Sequence, residues 1–152
     1  KIYPKIIAND KENIIPNDKF TPLYKNSKNI KIIQDAMFGS TNEVMGTSYR
    51  SRIDDPKYRF AGKTGTAQVR KITEEDRELD LQTFEIPYEE RDHALYIAFG
   101  PYINPRYALS ILVEHGGNGS TTAAPMAKKL FKKIIDRHFL RQSMNNKKYM
   151  EI

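Results

Sequence analysis

Lys63-Thr64-Gly65-Thr66 is the part of this 152-residue chain whose residue types and spacing best suit chemistry. Lys63 supplies a fixed positive charge. Thr64 and Thr66 stand two apart, so on a β-strand their hydroxyls share one face. Gly65 removes the side chain between them and lets a ligand or a neighbouring element approach the backbone. An ammonium and two hydroxyls together suit a carboxylate, and an unpaired strand N–H beside them suits an oxyanion. Gly62-Lys63-Thr64 also invites a phosphate-loop reading, which fails twice. The glycine that motif needs would fall at position 57, which is Lys57, and the following residues are strand-like where a helix should open.

Other reactive side chains offer less. His93, His115 and His138 are far apart in sequence, and none has a His or Glu partner at helical spacing, so no zinc site is implied. His138 falls on an apolar helix face and reads as a core histidine with its polar edge toward solvent. Glu114-His115 closes a strand before a glycine turn and reads as structural. With no cysteine, disulfides, thiolate metal sites and thiol nucleophiles are excluded. No metal or organic cofactor is expected.

The elements that must position Lys63 to Thr66 follow from periodicity. Residues 1–26, with Pro4, Pro16 and Pro22, read as extended segments and turns. A helix is expected over Asn29 to Phe38 with Ile30, Ile33 and Met37 on one face, capped by Asn26 or Ser27 and stopped by Gly39. Arg59 to Val69 reads as a strand, Ala94 to Phe99 as a second. Tyr107 to Glu114 is a third, with Tyr107, Leu109, Ile111 and Val113 on one face. The last two, joined by a short turn-rich loop, should pair antiparallel.

After the break at Gly116 to Gly119, Ser120, Thr121 or Thr122 should cap a final helix running to about Phe139. Pro125 is tolerated in its first turn, and residues 140–152 form a fraying tail. The order predicts an α+β fold, an antiparallel sheet flanked by helices.

Charge is uneven. Lys and Arg minus Asp and Glu is 25 − 19 = +6, yet Arg70 to Asp92 carries nine acidic and four basic residues. That connection is long, which suits a mobile acidic flap over a groove or a solvated loop with a short helix at Glu74 to Leu81. The C-terminal lysines, Lys128, Lys129, Lys132 and Lys133 among them, lie opposite Met126, Leu130, Phe131, Ile134, Ile135 and His138. This is the solvated face of an amphipathic helix. Lysine pairs without interleaved aromatics argue against nucleic acid. No apolar run approaches the ~18 residues of a membrane span. The chain opens at Lys1 without Met, signal peptide or targeting pattern and reads as a segment of a longer protein.

Context makes the Lys63 motif specific. Phe60 to Val69 resembles the third motif of the penicillin-binding proteins, serine D,D-transpeptidases whose motif set is S-x-x-K, S-D-N and K-T-G. The resemblance continues through Asp35-Ala36-Met37-Phe38-Gly39, Gly46-Thr47, Arg91 to Pro105 and Glu114 to Gly119. It favours the elongation-type class B branch, the penicillin-binding protein 2 type. No serine here is followed three residues later by lysine. Ser40-Thr41-Asn42 lies only 63 − 40 = 23 positions before Lys63, and Ser143-Met144-Asn145 lies after it, so neither fits the second motif.

The resemblance therefore implies the C-terminal portion, residues 1–152, of a transpeptidase domain of the penicillin-binding protein/β-lactamase-like fold, inactive alone. In it Lys63 would neighbour the absent serines and relay a proton. Thr64, Gly65 and Thr66 would bind the terminal carboxylate of a stem peptide or a β-lactam. The Thr66 N–H would form half of an oxyanion hole. The parent would be anchored in the inner membrane, face the periplasm and work with a glycan polymerase. Because the family's sheet takes strands from both ends of its domain, a segment lacking one end should self-associate. A penicillin-sensing receptor domain and a basic module binding anionic polymers are the alternatives.

Overall fold

The computed structural model describes residues 24–71, 74–79 and 81–150, so nearly all of the expected extended stretch 1–26 lies outside the described residues. Helix α1 spans Ser27–Asn42, strand β1 Ala61–Ala67, helix α2 Glu74–Leu79, strand β2 His93–Gly100, strand β3 Tyr107–Val113 and helix α3 Ala123–Met150. The strands form a sheet in the order β1-β2-β3, antiparallel throughout. This is the α+β arrangement that the order of elements predicts, and β2 and β3 pair as the short loop between them requires.

Asn26 caps α1 as expected, its side chain accepting from the Lys28 N–H at 2.9 Å. The helix does not stop at Gly39. Thr41 Oγ1 lies 3.3 Å from the Met37 carbonyl oxygen, and the Asn42 amide donates to the carbonyls of Phe38 and Phe60 at 3.0 Å each. The tertiary bond to Phe60 anchors the end of α1 to the residue before β1 and carries the helix past the glycine. The buried side is displaced too: Ile33 is 55% exposed, and Thr41 is the buried residue of this helix.

Alternation sets the faces of the sheet. Ala94, Tyr96, Ala98 and Gly100 of β2 are buried, and they pair with Val113, Ile111, Leu109 and Tyr107 of β3, the four residues expected to share a face. Helix α3 covers this side, and the end of α1 reaches it. Thr41 of α1 meets the Tyr96 hydroxyl at 2.9 Å, and Phe131 of α3 stacks on Phe60 with ring centroids 4.9 Å apart. Alanines 94, 98, 123, 124 and 127 in the core keep the helix close to the strands.

The seam of α3 differs from the expected one. Ala124, Ala127, Phe131 and Ile135 are buried, whereas Met126 and Leu130 are each 44% exposed. Small alanines let the backbone approach, which rotates the seam away from the bulkier pair. His138 continues it, its Nδ1 2.8 Å from the Tyr107 hydroxyl. Lys128, Lys129, Lys132 and Lys133 face outward.

The expected caps turn the other way. Thr121 and Thr122 donate to the carbonyls of Asn118 and Gly116, and the Asn118 side chain accepts from the Ser120 N–H at 2.8 Å. The helix also runs past Phe139 to Met150, since no Gly or Pro falls between Met126 and Met150 to end it.

Within the acidic connection, α2 ends at Leu79, short of the expected Leu81. The second half of the connection is held against the body. Arg91 Nε donates to the Ile86 carbonyl at 2.8 Å, the Val69 N–H donates to Asp92, and the Tyr88 ring lies against His115.

Candidate active site

Lys63, Thr64, Gly65 and Thr66 lie on β1, at one end of the sheet order. Strand alternation decides where their backbone groups point. The Gly62 N–H donates to Thr41 Oγ1 at 3.0 Å, away from β2, and its carbonyl oxygen lies 3.3 Å from the same hydroxyl. Residues two apart repeat this orientation. The N–H groups of Thr64 and Thr66 therefore point to the edge of β1 that has no strand neighbour among the described residues, the direction an oxyanion donor needs.

Lys63 folds back along that edge. Its Nζ donates to the Thr64 carbonyl at 2.9 Å and to Thr64 Oγ1 at 3.3 Å, which brings ammonium and hydroxyl together. Thr64 and Thr66 oppose Tyr96 and Ala94 on β2, so their side chains share a face as the spacing predicts. Gly65 pairs with Leu95 between them.

Two hydroxyls join this edge from outside the motif. Thr47 Oγ1 lies 3.3 Å from Thr64 Oγ1, and Ser40 Oγ lies 3.2 Å from Thr47 Oγ1. Together with Asp35, Gly39, Glu43 and Lys63 they line an open groove of about 410 Å³ between the end of α1 and β1. Sequence reasoning placed Thr47 only within a family match and set Ser40 aside as a false second motif. Nothing in the local pattern marks a contact between residues 17 positions apart.

The rest of Ser40-Thr41-Asn42 holds structure. Thr41 is fully buried against Gly62, Ser48 and Tyr96, and Asn42 ties α1 to Phe60. Burial raises the Tyr96 phenol above its ordinary value, with the Ser48 and Thr41 hydroxyls opposing, so it stays a neutral hydrogen-bonding group. Ser143, of the other set-aside triplet, donates to the Leu140 carbonyl on α3.

The structure brings two of the three histidines together, which their separation in sequence conceals. The His115 N–H donates to His93 Nδ1 at 2.9 Å, and His115 Nδ1 lies 3.1 Å from the Arg91 carbonyl oxygen. The carbonyl can only accept, so His115 Nδ1 carries the proton and His93 Nδ1 does not. No cluster of three or more His, Cys, Asp or Glu side chains that could hold a metal occurs among the described residues.

Comparison with known proteins identifies the family. The model of the penicillin binding protein transpeptidase domain matches residues 2–136. A peptidoglycan D,D-transpeptidase MrdA of Salmonella typhimurium is 37% identical over 108 residues, 69% of this chain and 16% of that protein. Its Escherichia coli K12 counterpart is 33% identical over 110 residues, 72% of this chain and 16% of that protein.

Among solved structures, the complex of penicillin-binding protein PBP2 with MreC from Helicobacter pylori matches at a TM-score of 0.58 and 34% identity, covering 74% of this chain and 18% of that one. Pseudomonas aeruginosa PBP2 in complex with WCK 5153 matches at 0.59 and 27% identity, covering 80% and 23%. The chain thus spans 16% of the length of the MrdA relatives. A match across residues 2–136, supported by the K-T-G edge strand and by relatives of the PBP2 type, shows that this chain belongs to the penicillin-binding protein transpeptidase domain family.

Proposed function

We propose that this chain is the C-terminal portion of a peptidoglycan D,D-transpeptidase and supplies its carboxylate site and half of its oxyanion hole. The observation that carries the reading is the β1 edge. Lys63 Nζ sits against the Thr64 hydroxyl, and the Thr66 N–H points outward, in a chain whose relatives are named for this activity. Those names favour an enzyme over a sensing receptor or a polymer-binding module.

In the parent, a serine contributed from upstream attacks the carbonyl of the D-Ala-D-Ala peptide bond. The C–N bond breaks, the terminal D-Ala leaves with a proton on its amine, and an ester to the serine remains. An amine of a neighbouring strand then attacks that ester, forms the cross-link and returns the proton to the serine. Lys63 holds the electrostatics near the serines, Thr64 and Thr66 bind the terminal carboxylate, and the Thr66 N–H stabilises the tetrahedral oxyanion. β-Lactams acylate the same serine.

In this reading the parent is anchored in the inner membrane, faces the periplasm, and has a glycan polymerase and a protein of the MreC kind as partners. The segment alone is inactive and self-associates through its uncovered sheet face.

Fluorescent-penicillin labelling tests the reading on this chain beside one extended upstream to an S-x-x-K serine. Covalent label on the longer chain alone, abolished by Lys63→Ala, is expected. Label on the short chain would mean that one of its own serines is the nucleophile, and the reading would fall.

A further inference from the structure

We propose that Thr47, steered by Ser40, is a positioning residue of the carboxylate site, one that fixes the direction in which the Thr64 hydroxyl donates. The inference rests on the transpeptidase reading above and adds to it two residues outside the motif.

The chain Ser40 Oγ, Thr47 Oγ1, Thr64 Oγ1 and Lys63 Nζ is continuous, with separations of 3.2, 3.3 and 3.3 Å. A hydroxyl has one proton and two lone pairs. Lys63 can only donate, so it occupies one lone pair of Thr64. If Thr47 donates into the second, Thr64 has no acceptor capacity left, and its proton can go only outward to a ligand. Thr47 can donate this way while accepting from Ser40.

The donors then run Ser40 to Thr47 to Thr64 to the anion, each bond polarising the next. The reverse direction would turn the Thr64 proton into Thr47 and away from the anion. A bound carboxylate selects the first. The separations exceed the ~2.8 Å optimum of O–H···O bonds, which leaves room for them to shorten when an anion pulls on the end of the chain.

The backbone holds Thr47 in place. The Ser48 N–H and Ser48 Oγ both donate to the Ser40 carbonyl at 3.0 Å, and the Gly46 N–H donates to the Glu43 carbonyl at 2.8 Å. Gly46 crosses so near the end of α1 that an added Cβ would fall 2.5 Å from the Gly39 carbonyl oxygen. Thr47 is thus clamped on both sides while its own side chain stays exposed. Removing its hydroxyl leaves the clamp intact.

The test is the acylation kinetics of the upstream-extended chain with benzylpenicillin and with its methyl ester. Thr47→Val should lower the second-order rate constant for the acid about tenfold, the upper end of the scale of one neutral hydrogen bond. The loss should fall in the binding constant rather than in the acylation rate constant. Thr47→Ser should restore the rate, and Ser40→Ala should cost a smaller factor.

With the ester, the variants and the parent should react alike. Equal losses for acid and ester would mean a merely structural role, and no loss with the acid would mean no role; either overturns the inference. If Lys63→Ala leaves acylation by the acid intact, or the extended chain does not react, the transpeptidase reading fails and the inference falls with it.

Discussion

Gly62 shows at a single residue how the fold protects its site. A Cβ there would lie 2.5 Å from Cζ and 2.6 Å from Cε1 of Tyr96, a fully buried ring. The Tyr96 hydroxyl contacts Thr41 and Ser48 at 2.9 and 3.1 Å, and these in turn hold the Gly62 backbone and the Ser40 carbonyl. Gly62→Ala is therefore overpacking against a ring that cannot swing aside, and should cost about 1–3 kcal/mol in urea denaturation. Tyr96→Phe should cost only about 0.5–1.5 kcal/mol, because Thr41 keeps Gly62 and Ser48 keeps Ser40. Removing the hydroxyl leaves Cζ and Cε1 in the way, so Tyr96→Phe should not rescue Gly62→Ala. A rescued double variant would refute this packing account. The sequence shows Gly62 beside the motif, but the ring beneath it is 34 positions away (96 − 62), and no local pattern connects the two.

At the scale of elements, α1 docks on the β2–β3 loop through a charged contact that titrates. Lys31 Nζ bonds Asp35 at 2.7 Å and the Tyr102 hydroxyl at 3.0 Å. Tyr102 also donates to Asp35, and its ring packs at a tilt against Phe38 with centroids 4.2 Å apart. The Lys31 hydrogen bond, then that of Tyr102, holds the Asp35 carboxyl below its ordinary 3.8. Asp35 and then Tyr102 hold the Lys31 ammonium above its ordinary 10.5. A lowered acid stabilises above its ordinary value and loses that contribution as pH falls through the folded one. A raised base stabilises below its ordinary value and loses it as pH rises through the folded one.

The docking should therefore hold between 3.8 and 10.5 and loosen beyond both ends. Tyr102 ring resonances followed against pH would show it, and Asp35→Asn should flatten the acid limb. An acid limb unchanged in that variant would assign it to another group. The strand periods and the Asn26 cap were legible in sequence because they are local. The end of α1 and the seam of α3 were not, because bonds from Asn42 to Phe60 and close-packed alanines in α3 decide them.

For the whole molecule, the consequence is a sheet with one side left uncovered among the described residues. Helix α3 lies on the Tyr96 side, and α1 reaches it only at its end, through Thr41. The opposite side carries Leu95, Ile97 and Phe99 of β2 with Ser110 and Leu112 of β3, and Ile97 and Leu112 are 52% and 57% exposed. Leu95 pairs with Leu112 and Ile97 with Ser110, so the apolar residues form one patch across two strands. Among the described residues, β3 has no strand partner beyond β2. An apolar patch beside an open strand edge favours association with a second copy. Sedimentation equilibrium of this 17.6 kDa chain should give a mass that rises with concentration. Ile97→Lys with Leu112→Glu should return it to one chain mass, since the charges keep the strands but make burial of the patch unfavourable. The upstream-extended chain should sediment as a monomer if its added residues cover the same face. A short chain that stays monomeric across a wide concentration range would show that this face is stable in water, and the self-association proposal would be withdrawn while the acylation tests stand.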